Sequence, residues 1–491
     1  MNLRTSLVFV FLAGCSTFNA DNAPGSGPSN DDGGTAGNGQ SPVPGTPALG
    51  FSVVPAGDRA FVIQGQSLEI PIRITRKEST TDAVAIAVGG LPAGATVAPL
   101  QIPAGSNEGK LKVTVAATTP QGSVDLSISA STGDGSTAKG AVPIFVRGAP
   151  GSVDTTFAPG PMLLSDNGGA GGTLTLLADG SMVAAAKVGT GARIVKVDAE
   201  GKVSASTDAG VGVLLAPLPD GRFLNFGDDK VARFSAKLDR DTSLGGGTGL
   251  LTPAVGRASD VAVSGGKAYL LSTGGTGRTI AVRRFSADGV IESDSCKMNN
   301  PADNGEYLQV RRSSLHVDVA GQARVVGGSG DENSSSFVFG CASSGLVNLG
   351  GDLYSPAHRA LGSNVVLPAL VSDGVDGFFV AEGPSNTSFS VRLVHLNASG
   401  MVDRGPFTTD LTDAFPIIGR AADGSVILTS RRSLSSPGLR RYKADGTEDA
   451  TFVRAQSASV VSPSEIVILK DGRIVVLATS NGLLVLVRYW G

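Results

Sequence analysis

A repeated hairpin signal constrains this chain more than any other feature. Ile468–Ala478 reads ILKDGRIVVLA: an apolar run, an Asp-Gly turn, then a second apolar run rich in β-branched residues. That pattern predicts two strands joined by a tight turn. It recurs as LLADGSMVAAA (Leu176–Ala186), PLPDGRFLNFG (Pro217–Gly227) and RAADGSVILTS (Arg420–Ser430). Looser copies are AVSGGKAYLLS (Ala262–Ser272), DVAGQARVVGG (Asp318–Gly328) and GVDGFFVAEG (Gly374–Gly383). The turn glycines are Gly180, Gly221, Gly266, Gly321, Gly377, Gly424 and Gly472, spaced 41 to 56 residues apart. An all-strand repeat of this period predicts propeller blades, and seven turns predict seven.

Each hairpin is followed by a second block, such as VRRFSADGVIESD (Val282–Asp294) and LRRYKADGTEDATF (Leu439–Phe452). The unit therefore reads strand, turn, strand, loop, strand, turn, strand, a four-stranded blade. The pairing of DGRIVVLA with RRYKADGTEDATF resembles the delta-60 repeats of bacterial exported proteins over residues 151–491. The resemblance implies architecture rather than activity. The last unit ends at VRYWG without a final strand, while GSVDTTF (Gly151–Phe157) matches GTEDATF (Gly446–Phe452) yet precedes the first hairpin. The expectation is that 151–157 pairs with 484–489 and closes the ring, removing two open sheet edges.

Ahead of the repeats, strict alternation marks residues 50–148. Leu68, Ile70, Ile72 and Ile74 share one face of a strand, as do Leu111, Val113 and Val115, and Val124, Leu126, Ile128 and Ala130. About seven short half-buried strands predict an immunoglobulin-like β-sandwich. The run GLPAGATVAP with IPAG (Gly90–Pro99, Ile102–Gly105) resembles a recurring segment of bacterial surface Ig-like domains. Such a domain reads as a spacer or as an adhesion module, and the spacer reading is preferred because a fold alone specifies no activity. The predicted fold class is thus all-β: an Ig-like sandwich at 50–148 followed by a seven-bladed propeller at 149–491.

Residues 1–14 carry Arg4 and an apolar run, Leu7–Ala13, too short to cross a bilayer as a helix. This predicts a secretory signal peptide. It ends Leu12-Ala13-Gly14-Cys15, which resembles the lipobox of bacterial lipoproteins and implies cleavage before Cys15 and lipidation there. Residues 15–49 are Gly, Ser, Pro, Asn and Asp with few apolar side chains, the composition of a disordered tether. Ser16 follows the lipid cysteine, which by resemblance to Gram-negative sorting rules implies the outer membrane. The expected localisation is the bacterial cell envelope.

Net charge is −3 and charged residues are 17%, against a nucleic-acid partner. Cys296 and Cys341 are the remaining thiols, and in an exported protein they are candidates for a disulfide. The turn aspartates Asp179, Asp220, Asp376, Asp423 and Asp471 could bind calcium at the blade rims, but they lack the clustered spacing of a calcium loop and read better as caps of their own turns. Arg233-Phe234, Arg284-Phe285, Arg441-Tyr442 and Arg488-Tyr489 repeat with the blades. An anion-binding ring is one reading; the preferred one packs the aromatics between blades with the arginine stems along the sheet. His316, His358 and His395 sit at positions with no evident repeat relation and no metal spacing. With one tryptophan, Trp490, the chain is poor in sugar-stacking platforms. No catalytic residue, metal site or cofactor is predicted. The expected function is a non-enzymatic binding module, held to the membrane by lipid and engaging an unidentified protein or polymer. The alternatives are an envelope lyase or hydrolase built on the propeller, and a structural surface component.

Overall fold

The computed structural model describes residues 50–53, 60–76, 81–157, 172–188, 191–252, 256–273, 279–299, 308–309, 314–318, 320–329, 336–342, 345–348, 369–375, 377–382, 390–411, 416–430, 438–454, 462–480 and 483–491. The signal peptide, the tether, Cys15 and His358 lie outside them. The described chain is all-β.

Residues 50–147 form two sheets around one core. One sheet orders Gly50–Val53, Ser67–Thr75, Glu108–Val115 and Ala95–Val97. The other orders Ala60–Ile63, Thr137–Arg147, Gly122–Thr132, Val84–Gly89 and Leu100–Ile102. The expected alternation sets the inner faces: Ile70, Ile72, Ile74, Leu111, Val113, Leu126, Ile128, Val142 and Ile144 all enter the shared core. Their neighbours Glu69, Arg73, Lys110 and Lys112 stay in water, because period-two side-chain geometry leaves them no other choice.

Seven small antiparallel sheets follow among the described residues: one (173–210), two (214–251), three (257–299), four (308–348), five (369–408), six (416–442) and seven (462–489). Strands within each pair in chain order, except that the first strand of sheet four is in two pieces, Leu308–Gln309 and Leu315–Val317, both paired to Ala323–Ser329. The first strands touch in series: Thr173–Leu176, Leu214–Pro217, Arg257–Ser264, Leu315–Val317, Ala369–Ser372, Pro416–Arg420 and Ser462–Ile468, the last contacting the first. Separate apolar clusters fill the spaces between consecutive sheets, including one between seven and one that takes in Phe157. Middle strands such as Phe223–Phe226 and Val426–Ser430 are buried on both sides, which is why they read as unbroken apolar runs.

The turns depart in detail from a two-residue hairpin. Leu177 N–H donates to Ser181 O at 2.8 Å and Gly180 N–H to Leu177 O at 3.1 Å, so the loop has three residues with glycine in the left-handed position. Gly180, Gly221, Gly424 and Gly472 have φ between 82° and 85°. In sheet three the turn has two residues, both left-handed glycines, Gly265 and Gly266 at φ 57° and 75°. Sheet five differs again: its left-handed residue is Gly374 (φ 83°), not Gly377. Asp373 caps this turn, accepting from the N–H groups of Val375 (2.8 Å) and Gly377 (3.0 Å), whereas Asp376 lies outside the described residues. The other turn aspartates cap as expected, Asp179 accepting from Ser181 N–H (2.9 Å) and Asp423 from Ser425 N–H (2.9 Å).

Sheets six and seven have three strands each among the described residues. Where the sequence predicts a fourth strand over 151–157, one bridge forms, Val153 with Tyr489, flanked by Gly151 N–H to Trp490 O (2.7 Å), Asp154 N–H to Arg488 O (2.8 Å) and Trp490 N–H to Ser152 O (2.9 Å). The ladder stops there because Asp154 Oδ1 captures Thr156 through its N–H (2.9 Å) and hydroxyl (2.6 Å), curling the chain off the edge.

Candidate functional site

Among the described residues a repeated set of polar side chains lies near the tight turns, at the junctions between sheets. The penultimate residue of the third strand is basic in five sheets, as Lys196, Arg233, Arg284, Arg441 and Arg488, and in three of them its head group reaches an alanine carbonyl in the second turn of the next sheet. Lys196 Nζ donates to Ala236 O (3.0 Å), Arg233 Nη1 to Ala287 O (3.3 Å) and Arg488 Nη1 to Ala199 O. Three of these arginines also hold an aspartate on their own sheet's outer turn: Arg233 Nε to Asp241 (2.9 Å), Arg441 Nε to Asp449 (2.7 Å) and Arg488 Nε to Asp154 (2.7 Å). Ser243 and Arg233 hold Asp241 down at a pKa of about 2. Burial works to raise Asp449, but Thr451 and Arg441 outweigh it and also leave it at about 2. Arg441 and Arg488 lie over the rings of Phe452 (5.0 Å) and Phe157 (4.5 Å), and the aromatics of the arginine-aromatic repeats pack in the clusters between sheets, as the preferred reading expects. Phe234, Phe285, Tyr442 and Tyr489 are all buried.

Sheet five breaks this pattern. Its third strand, Arg392–Leu396, puts His395 at the position of Arg233, Arg441 and Arg488, since Phe379 pairs with His395 as Val475 pairs with Arg488. The expectation that the histidines are unrelated to the repeat is therefore wrong for His395. Aligning RLVHL with VLVRY on the last apolar residue is the signal that would have found it. The ring is 2% exposed and edge-on to Phe379, centroids 4.7 Å apart. Nδ1 lies 2.5 Å from Asp403 Oδ1, and Nε2 lies 3.1 Å from Asp373 Oδ2 and 2.7 Å from Arg404 Nη2. Asp403 is the counterpart of Asp449. Arg404, on the outer strand, has taken over the reach to the next sheet, donating from Nη1 to Ala444 O at 2.5 Å.

Charges from neighbouring sheets gather around Asp373. Burial works to raise its pKa, but the N–H groups of Val375 and Gly377 together with His395 bring it below the ordinary carboxylate range. His316, on the first strand of sheet four, is half-buried, and burial lowers its pKa; it feels Asp318, Arg324 and Asp373. From sheet six, the Arg420 guanidinium packs so close to Gly374 that a Cβ there would lie 2.3 Å away. The arrangement can hold and pass a proton between carboxylates. Among the described residues no serine, threonine or cysteine hydroxyl or thiol is within hydrogen-bond distance of the His395 ring.

A separate buried acid, Glu382, sits at the far end of the second strand of sheet five. Burial pushes its pKa up to about 8, although Arg392 Nη2 is 2.7 Å from Oε2. Among the described residues its Oε1 has no hydrogen-bond partner.

Cys341 is disulfide-bonded. Cys296 lies on Ile291–Asn299, a strand in contact with both Ser336–Ala342 and Gly345–Asn348; its backbone pairs with Val282, and its side chain is outside the description. Among the described residues no group of three or more His, Cys, Asp or Glu side chains could hold a metal.

No family model and no curated protein matches this chain. Among solved structures, a protein of unknown function from Dyadobacter fermentans is similar at 11% identity and TM-score 0.38, covering 70% of this chain and 98% of the other. Prolyl oligopeptidase B from Galerina marginata is similar at 11% identity and TM-score 0.37, covering 62% of this chain and 46% of its own. At these scores neither likeness bears on activity.

Proposed function

We propose that this chain is a lipid-anchored bacterial envelope protein, probed through its loops, whose seven sheets are the blades of a propeller acting as a non-enzymatic binding module. Residues 50–148 serve as an Ig-like spacer. The observation that carries the reading is the engagement of the tight-turn face, where the head groups of Lys196, Arg233 and Arg488 are occupied in locking sheet to sheet. The sequence between one sheet and the next is uneven in length, the stretch between Gly345–Asn348 and Ala369–Ser372 spanning positions 349–368. Long connections on a rigid scaffold are where recognition resides.

The sandwich is held firmly to the ring. Gln121 Nε2 donates to Val153 O (3.1 Å), while its Oε1 accepts from Thr155 N–H (2.8 Å) and Trp490 Nε1 (3.0 Å). Trp490 stands edge-on to Phe145 of the sandwich, centroids 5.9 Å apart. Those contacts suit a spacer that sets the height and tilt of the ring above a membrane. The lipid anchor is assigned to Cys15 and the outer membrane to its Ser16 neighbour, both on the sequence resemblance. Cys296 is assigned as the disulfide partner of Cys341, in keeping with an oxidising compartment; closing that loop stabilises by roughly 4 kcal/mol in the chain-entropy model.

The test is crosslinking and pull-down from intact envelope with the full chain and with a variant whose residues 351–366 are replaced by a short Gly-Ser linker. Loss of the captured partner at unchanged melting temperature supports the reading; identical capture by both chains removes that loop from it. A second reading, an envelope lyase or hydrolase, is favoured by Glu382, a buried acid whose pKa burial pushes up to about 8. Turnover of an envelope polymer that disappears in Glu382→Gln would replace the binding module with that enzyme.

A further inference from the structure

We propose that His395 is a proton-operated switch on the junction between sheets five and six, trading Arg404 for Asp373 as the partner of its Nε2. The proposal does not rest on the membrane or binding reading.

The geometry at Nε2 is over-subscribed. Arg404 Nη2 is 2.7 Å away and can only donate, whereas Asp373 Oδ2 is 3.1 Å away and, ionised, can only accept. A ring nitrogen satisfies one of these at a time. In the neutral ring Nδ1–H donates to Asp403 Oδ1 and the Nε2 lone pair accepts from Arg404. When Nε2 takes a proton it donates to Asp373 instead. Arg404 then loses its acceptor and faces a cation.

The ring has nowhere else to go. A Cβ at Gly377 would stand 2.8 Å from Asp373 Oδ2 and 2.9 Å from the ring Cε1, so the backbone walls one side. Phe379 covers another. The strain of protonation is therefore passed to Arg404, whose other arm is the bond to Ala444 O of sheet six. Asp373 acts on His316 of sheet four, which also feels Asp318 and Arg324, and the turn behind Asp373 meets Arg420 of sheet six. In sheets two, three, six and seven the same slot holds arginine and in sheet one lysine, residue types with no proton to exchange at ordinary pH. Acidification thus addresses one junction of the ring and leaves the Arg233 and Arg488 junctions as they are.

The experiment is hydrogen exchange by mass spectrometry on the full chain at about pH 7.5 and about pH 5.5, after correction for intrinsic rates. Peptides across 440–449 should exchange roughly fivefold faster at the lower pH, the effect of losing one net hydrogen bond. Peptides across 195–201, at the junction held by Arg488, should not change. In His395→Gln, which keeps His316 and His358 but cannot titrate at 395, the pH effect at 440–449 should vanish. Equal acceleration in His395→Gln, or none in the parent protein, overturns the proposal. Imidazole ¹⁵N spectra of the parent protein give a readout that needs no variant. Nε2 bare at about pH 7.5 and protonated at about pH 5.5, with the Arg404 side-chain N–H signals moving in step, supports the switch. A ring already doubly protonated at the higher pH, or Arg404 signals that do not move, overturns it.

Discussion

The sandwich and the ring use the same secondary structure and are built on different logic. The sandwich has one core, shared by all its strands. The ring has its apolar groups divided among separate junctions, each between two neighbouring sheets. In the sandwich the charged side chains are exposed and paired loosely: Arg73 with Glu108 at 2.6 Å, side chains 61% and 67% exposed. Pairs of that kind contribute little. In the ring the Arg488–Asp154 pair is almost wholly buried, at 3% and 0%. A two-sheet core holds its sheets together by area alone. In the seven sheets each junction has an apolar cluster of its own, and charge-assisted hydrogen bonds near the tight turns add to it from sheet to sheet.

That contrast breaks most visibly at Arg488. Arg488→Met leaves the Asp154 carboxylate buried beside Arg473, which is 3.6 Å away. The ring should lose about 3–5 kcal/mol, the cost of orphaning one member of a buried pair, read as a lower denaturation midpoint. Pairing it with Asp154→Asn should recover part of the loss. An unchanged midpoint for Arg488→Met would mean the locks are ornamental and apolar wedges alone hold the ring.

In the sandwich the corresponding weak point is apolar. Leu111→Ala removes a fully buried side chain from the shared core, and a loss of about 2–5 kcal/mol is expected in the sandwich transition. Glu108→Ala on the same strand should shift it by less than about 0.5 kcal/mol. If the charge change matched the leucine change, the contrast between the two regions would fail.

Gln121 joins the two regions, and Gln121→Ala leaves Trp490 Nε1 and Thr155 N–H without their acceptor. A loss of about 1–3 kcal/mol is expected, with the sandwich and ring transitions drawing apart in a thermal scan. A single unsplit transition at the parent temperature would show that apolar contacts such as Trp490 on Phe145 hold the junction alone.

The smallest effect expected is on the acid limb. Asp241 and Asp449 have folded pKa values of about 2, below their unfolded values. Their contribution is therefore present above about pH 4 and is lost as pH falls through about 2. Asp241→Asn and Asp449→Asn should each flatten the fall in ring stability across that window and leave the sandwich curve alone. Curves parallel to the parent's would assign the acid limb to other carboxylates.

Most of the fold was legible because it is periodic. Two-residue alternation placed Ile70, Ile72 and Ile74 on the inner face before any neighbour was known. Asp-Gly turns marked the hairpins, since glycine alone enters the left-handed region without strain. The reading slipped at sheet five, where Gly374 and Gly377 both fit the pattern and only the backbone distinguishes them. It slipped again at His395, whose type differs from the arginines it replaces while its register position is theirs.

By itself, then, the sequence determined where strands begin and turn, which side chains face a core, and how many times the hairpin repeats. These are local properties, set by φ/ψ preferences and side-chain period within a few residues. The tertiary structure alone decided who meets whom across the junctions. Arg488 and Asp154 are 334 residues apart, and Arg404, rather than the residue in the arginine slot, reaches Ala444. Such pairings depend on the angle at which one sheet meets the next, and that angle is fixed only once the whole ring of wedges has packed.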